Sequence, residues 1–141
     1  MIILKTMYSI DIKGLMKQKI QTDQAPRAIG PYSQGIRAGD LVYISGQIPI
    51  EPSSGEIESQ DISHQTRLVL SHIEAILASE GLTMDHVVKT EIFLTSMEDF
   101  KTMNEVYASF FKHEPLPARQ AIEAAKLPRG SKIEISCIAH I

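Results

Sequence analysis

The chain has little with which to build several common kinds of protein. It holds one cysteine among 141 residues, so no disulfide can form within it. No apolar run approaches the roughly 18 residues that a membrane-spanning helix needs. The opening residues offer only Ile2 to Leu4 as an apolar cluster, too short for a signal-peptide core. They contain no arginine, which argues against a transit peptide. A cytoplasmic protein is therefore expected, with no membrane as partner. Excess positive charge is also missing. Lys and Arg number 14 against 17 Asp and Glu, for a formal net charge of −3. Nucleic acid, which usually needs a basic surface, is not expected as a partner on that balance.

Ready-made catalytic signatures are absent too. Five histidines, at 64, 72, 86, 113 and 140, show no metal-ligand spacing, and no Cys-x-x-Cys pair exists. Neither a metal nor a metal site is expected. Gly30, Gly35 and Gly39 do not form a phosphate loop. Ser45 sits in Ser-Gly-Gln rather than in a nucleophile elbow, so it suits a hydrogen bond better than an attack. Cys137 alternates with isoleucines, which predicts a buried, inert thiol.

What is present is an ordinary globular composition, 43% hydrophobic and 22% charged. The length suits one domain. Residues 1 to 19 look unlike the rest and are read as an N-terminal extension, poorly ordered. Met7 and Met16 offer alternative starts, and a strand at Tyr8 to Ile12 is the rival reading. The domain is expected over residues 20 to 141.

Within it the pattern reads β-β-β-α-β-α-β-β. Short strands are expected at Ile20 to Thr22 and Tyr32 to Ile36. The second turns at Ala38-Gly39-Asp40 into Leu41 to Ile44. Gly46 suggests a bulge or a close backbone approach, with the strand resuming at Ile48 to Ile50. Asp61 or Ser63 caps a helix whose Val69, Ile73, Ile76 and Leu77 share one face, and Gly81 is placed to end it. Val87 to Leu94 is a strand, with Val88, Thr90, Ile92 and Leu94 on one face. Ser96 and Asp99 resemble a capping box ahead of a helix reaching about Lys112. Its stripe of Phe100, Met103, Tyr107, Phe110 and Phe111 reads as core packing. Strands at Arg119 to Ala125 and Lys132 to Ile141 complete the chain. Two strand–helix–strand units predict right-handed parallel crossovers. Two helices cover one sheet face. The other mixes charge with Val, Phe and Ile, which suits burial against another subunit.

Arg119 and Glu134 are the candidates for chemistry. A guanidinium can fork onto a carboxylate ligand, and a carboxylate on a strand can hold a water or a proton. On spacing alone, a solvated surface position is the commoner reading of each.

Several segments carry a wider pattern. Ala28-Ile29-Gly30-Pro31-Tyr32-Ser33-Gln34 and Tyr43-Ile44-Ser45-Gly46-Gln47-Ile48 resemble the RidA family, also called YjgF. So do Val87-Val88-Lys89-Thr90, the stretch from Asp99 to Tyr107, Pro117-Ala118-Arg119, and Leu127 to Ile135. The resemblance covers about Ile20 to Ile141. It implies a chorismate-mutase-like α+β fold, a mixed sheet with two helices on one face, assembled as a homotrimer around a central barrel. It implies hydrolysis of 2-iminopropanoate and 2-iminobutanoate to 2-oxo acids and ammonia. Those imines come from pyridoxal-phosphate dehydratases, and the family itself uses no cofactor. By position, Arg119 matches the residue that grips the substrate carboxylate and Glu134 the acid that positions water. Tyr32, Ser45 and Asn104 match polar pocket residues, and Gly46 and Ala121 supply backbone contacts. Ala121 departs from the cysteine of many members, which leaves thiol-based regulation there unsupported. Rival implications are an endoribonuclease or translation inhibitor, and a non-catalytic metabolite-binding or chaperone-like module.

Overall fold

The computed structural model describes residues 16–141. The extension expected before residue 20 therefore lies mostly outside the described residues, as does the rival strand at Tyr8 to Ile12. Six strands form one sheet: β1 (Gln18–Ile20), β2 (Gly35–Ala38), β3 (Leu41–Gln47), β4 (Val87–Leu94), β5 (Ala118–Glu123) and β6 (Ile133–His140). Helix α1 (Ile62–Ser79) lies between β3 and β4, and α2 (Phe100–Phe110) between β4 and β5.

The strand order is β1-β2-β3-β6-β4-β5. The last strand, β6, inserts antiparallel between β3 and β4, while β4 and β5 pair in parallel. Both strand–helix–strand units thus join parallel strands, one of them across β6. The β2–β3 turn is tight, with Ala38 opposite Leu41 and Gly39 at φ +61. A two-residue hairpin turn of the primed type requires positive φ at its first central position, where glycine carries no Cβ penalty.

Helix α1 begins where Asp61 accepts a hydrogen bond from the His64 N–H at 3.1 Å, satisfying one of the helix's orphan donors. It ends in a Schellman arrangement. Gly81 N donates to Ala78 O and Leu82 N to Leu77 O, each at 3.0 Å. Val69, Ile73, Ile76 and Leu77 are buried, as their spacing predicts. They meet Val42, Ile44, Ile92, Leu94, Ile133, Ile135, Cys137 and Ala139 from the covered sheet face in one hydrophobic core. Cys137 is buried, and burial pushes its thiol up to about 12, so it stays protonated and inert.

Several boundaries depart from the sequence reading. β1 lies two residues earlier than expected. Tyr32 to Gln34 are loop rather than strand, because the Gln34 side chain is occupied with the neighbouring segment. Its amide accepts from Thr22 N at 2.7 Å and donates to Pro26 O at 2.8 Å and Thr22 O at 3.0 Å. Ile48 to Ile50 do not continue β3 but turn away to wall a cavity. In β4 the register against β6 shifts between Val87 and Lys89. That bulge buries Val87 and exposes Val88, the reverse of the expected alternation. Ser96 caps only a short 3₁₀ turn, Met97–Asp99, and Asp99 makes no capping bond to α2. Helix α2 stops at Phe110, two residues before the expected limit, and β5 stops at Glu123.

Candidate active site

Glu134 lies on β6 opposite Phe93, on the sheet face that the helices leave uncovered. It is half-buried, and burial raises its carboxyl above the ordinary glutamate value. No described residue hydrogen-bonds it, so its oxygens are free to hold a water or a ligand. The β3 bulge between Ile44 and Gln47 brings backbone against it. A Cβ placed on Gly46 would lie 2.8 Å from Glu134 Cδ and nearer still to Oε1. Both readings of that glycine from sequence, bulge and close approach, hold together.

Tyr32, Ser45, Gly46 and Glu134 line one cavity of about 450 Å³, with Ile29, Ile48, Ile50 and Pro128 among its apolar walls. The polar groups have defined roles. Ser45 Oγ donates to Ser33 O at 2.6 Å, so its proton is committed and its oxygen can only accept. Tyr32 Oη accepts from Ile29 N at 3.4 Å, which leaves its proton for donation. A cavity with a donor, two acceptors and apolar walls suits a small polar molecule with an aliphatic portion.

Arg119 stands elsewhere. On β5 it pairs with buried Thr90, and Ala121 with Ile92, so both lie on the helix side of the sheet. Arg119 Nη1 donates to Asn104 Oδ1 at 2.6 Å. Its Cζ sits 4.9 Å from the Tyr107 ring centroid and 5.6 Å from that of Phe100. These contacts hold the guanidinium plane without an acidic partner among the described residues. Its remaining N–H groups have no partner among the described residues and can donate to an anion. Phe100, Asn104 and Tyr107 fall at i, i+4 and i+7, one face of α2. Sequence reading assigned the aromatics to the core and Asn104 to the substrate. The structure gives all three contact with Arg119, and that shared spacing was the available signal. Tyr107 is fixed in turn by Thr90 at 2.9 Å, and burial raises its phenol, keeping it neutral.

The expected site residues thus fall into two groups on opposite sheet faces. Tyr32, Ser45, Gly46 and Glu134 surround the cavity, and Arg119, Asn104 and Ala121 occupy the edge strand and α2. A single chain does not bring them together. Among the described residues no cluster of His, Cys, Asp and Glu is placed to hold a metal ion. No described helix is long and apolar enough to cross a membrane.

Residues 22–141 match the family described as Endoribonuclease L-PSP. The crystal structure of RidA from an Antarctic Psychrobacter superposes with a TM-score of 0.83 at 41% identity, covering 88% of this chain and 99% of that one. The chain belongs to the RidA family. Another relative, a RutC family protein of Pyrococcus horikoshii, is 50% identical over 125 residues, 89% of this chain and 98% of its own. The chloroplastic Reactive Intermediate Deaminase A of Arabidopsis thaliana is 43% identical over 133 residues, 94% of this chain and 71% of its own. Escherichia coli TdcF, solved with bound serine, gives a TM-score of 0.82 at 42% identity, covering 88% of this chain and 98% of that one. The mixed six-stranded sheet with two helices is the RidA fold.

Proposed function

We propose that the protein is a deaminase that hydrolyses 2-iminopropanoate and 2-iminobutanoate, working at sites built between subunits of a homotrimer. One observation carries this reading. An arginine with no acidic partner and an unpartnered carboxyl group occupy opposite faces of the same sheet. Two different patches that must meet imply a head-to-tail interface, and a rotation that closes such contacts makes a ring. Tyr43, Val88 and Ile122 are exposed apolar groups, which gives such an interface something to bury.

In this reading Arg119 of one protomer forks onto the substrate carboxylate and orients the C=N carbon. Glu134 of its neighbour accepts a proton from a water as the oxygen adds to that carbon. Returned to nitrogen, that proton completes an amino alcohol. Glu134 then carries the hydroxyl proton to nitrogen as C=O forms and the C–N bond breaks, so that ammonia and the 2-oxo acid leave. Tyr32 donates to the polar intermediate, and Ser45 Oγ accepts from its N–H or O–H. The apolar walls receive the methyl or ethyl group. Simple imines already hydrolyse in water, so positioning plus one proton-transfer group supplies a sufficient gain. The reactive-intermediate name of the Arabidopsis relative and the serine bound to TdcF support an amino-acid-derived ligand.

The test couples a threonine dehydratase to 2-oxobutanoate release. Added protein should accelerate release, and Arg119→Lys should lower that gain roughly tenfold or more, because the planar fork is lost. Equal release with and without protein would defeat the assignment. The family's description favours one rival, endoribonuclease activity. RNA cleavage by nuclease-free protein that is abolished by Glu134→Gln would favour that rival instead.

A further inference from the structure

Glycine at position 46 is not explained by backbone freedom. Gly39 and Gly81 sit at positive φ, but Gly46 is absent from the glycines that do. It lies inside β3, where glycine ordinarily weakens a strand. Its one structural reason is space. A Cβ there would press on three atoms of a single side chain, including Glu134 Cδ at 2.8 Å and Cγ at 3.0 Å. Resting on the deaminase reading, we propose that Gly46 is a positioning residue for Glu134. Its missing side chain forms the seat in which the carboxyl group lies and sets how that group faces the cavity.

The seat has a rigid floor. Ser45 N donates to Gln34 O at 2.9 Å, and Gln47 Nε2 donates to Ser45 O at 3.1 Å. Gln34 is itself buried and bonded to the 22–26 segment. Ser45, the residue before Gly46, is thus held through both its N–H and its carbonyl. The opposing groups leave the carboxyl alone. Ser45 Oγ is turned to Ser33 O. Of the two arginines on the cavity wall, Arg129 donates to Gly55 O at 3.0 Å and Glu56 Oε2 at 2.7 Å, and Arg27 faces Asp23 at 3.9 Å. With no hydrogen bond to aim it, Glu134 is aimed by shape. Burial against the bulge also accounts for its raised pKa. Any side chain at 46 would displace the carboxyl from the seat that buries it.

The experiment compares wild type with Gly46→Ala by two readouts. The first is the pH titration of the Glu134 carboxyl carbon, followed by NMR of protein with labelled glutamate and assigned by its loss in Glu134→Gln. The second is the pH profile of imine hydrolysis. Gly46→Ala should return the titration toward the ordinary glutamate range and move the acid limb of activity to lower pH. It should also reduce the rate about a hundredfold through misplacement. A slower enzyme with both the titration and the limb unmoved would overturn the proposal. If Gly46→Ala does not fold, the same substitution is made with Glu134→Ala. Folding only in that background supports the seat, and failure in both overturns it. If wild type hydrolyses no imine, the proposed function fails while the NMR titration still decides the role of Gly46.

Discussion

Glu134 meets an environment that favours its neutral form, and stability and chemistry then want opposite things. Its folded pKa is raised by burial, so protonation favours the folded state. The stabilisation is complete below the ordinary glutamate range and is lost as pH rises through the folded value. At neutral pH the ionised group therefore weighs against folding. Glu134→Gln should melt higher than wild type at neutral pH while imine hydrolysis disappears. The advantage should shrink as pH falls and vanish in acid, as thermal melts across pH would record. A melting difference independent of pH would contradict this account. From sequence, Glu134 was one acid on an alternating strand. Its type and position were readable, but its lack of partners was not. That depends on Ser45 turning to Ser33 and on Arg129 turning to Glu56, contacts between segments remote in the chain.

Helix α2 does two jobs with one face. Met103 and Tyr107 reach the core, while Phe100 and Tyr107 also flank the Arg119 guanidinium. The two jobs can be separated. Tyr107→Phe keeps a ring beneath Arg119 but leaves the buried Thr90 hydroxyl without its partner. It should cost about 1–3 kcal/mol in urea unfolding with little change in KM. Phe100→Leu should instead raise KM for the imine while affecting stability less. Elements like this were legible because hydrophobic period survives local detail, and α1 and its caps fall where the spacing of Val69 through Leu77 puts them. The bulges were less legible. Gly46 announced one of them. Val87-Val88 announced nothing, since two identical side chains cannot say which faces inward. Only the pairing of β4 with β6 decides it.

At the scale of the molecule, the parallel crossovers were readable from the order of elements and the mixed sheet from the family resemblance, but the placement of β6 between β3 and β4 was not readable from the pattern. Periodicity assigns faces to a strand without assigning neighbours. The division of the site has the same origin. Arg119 and Glu134 are 15 positions apart in sequence, yet β5 is the sheet edge, β6 is interior and their side chains point oppositely. A mixing experiment tests the consequence. Arg119→Ala and Glu134→Ala proteins, each inactive alone, should regain activity when unfolded and refolded together, because some interfaces then hold both native residues. Continued inactivity in verified mixed trimers would place the reaction within one protomer. If the site is built between subunits as proposed, ligand and assembly are thermodynamically linked. A 2-oxo acid touching both halves would then bind the closed ring and not the separate chain. At a hundred times its Kd it adds about 2.7 kcal/mol per occupied site. Specific activity should therefore fall on dilution, and 2-oxobutanoate should hold the trimer together at protein concentrations where it otherwise dissociates, an effect visible in sedimentation. Substrate supply would then help decide how much assembled enzyme exists.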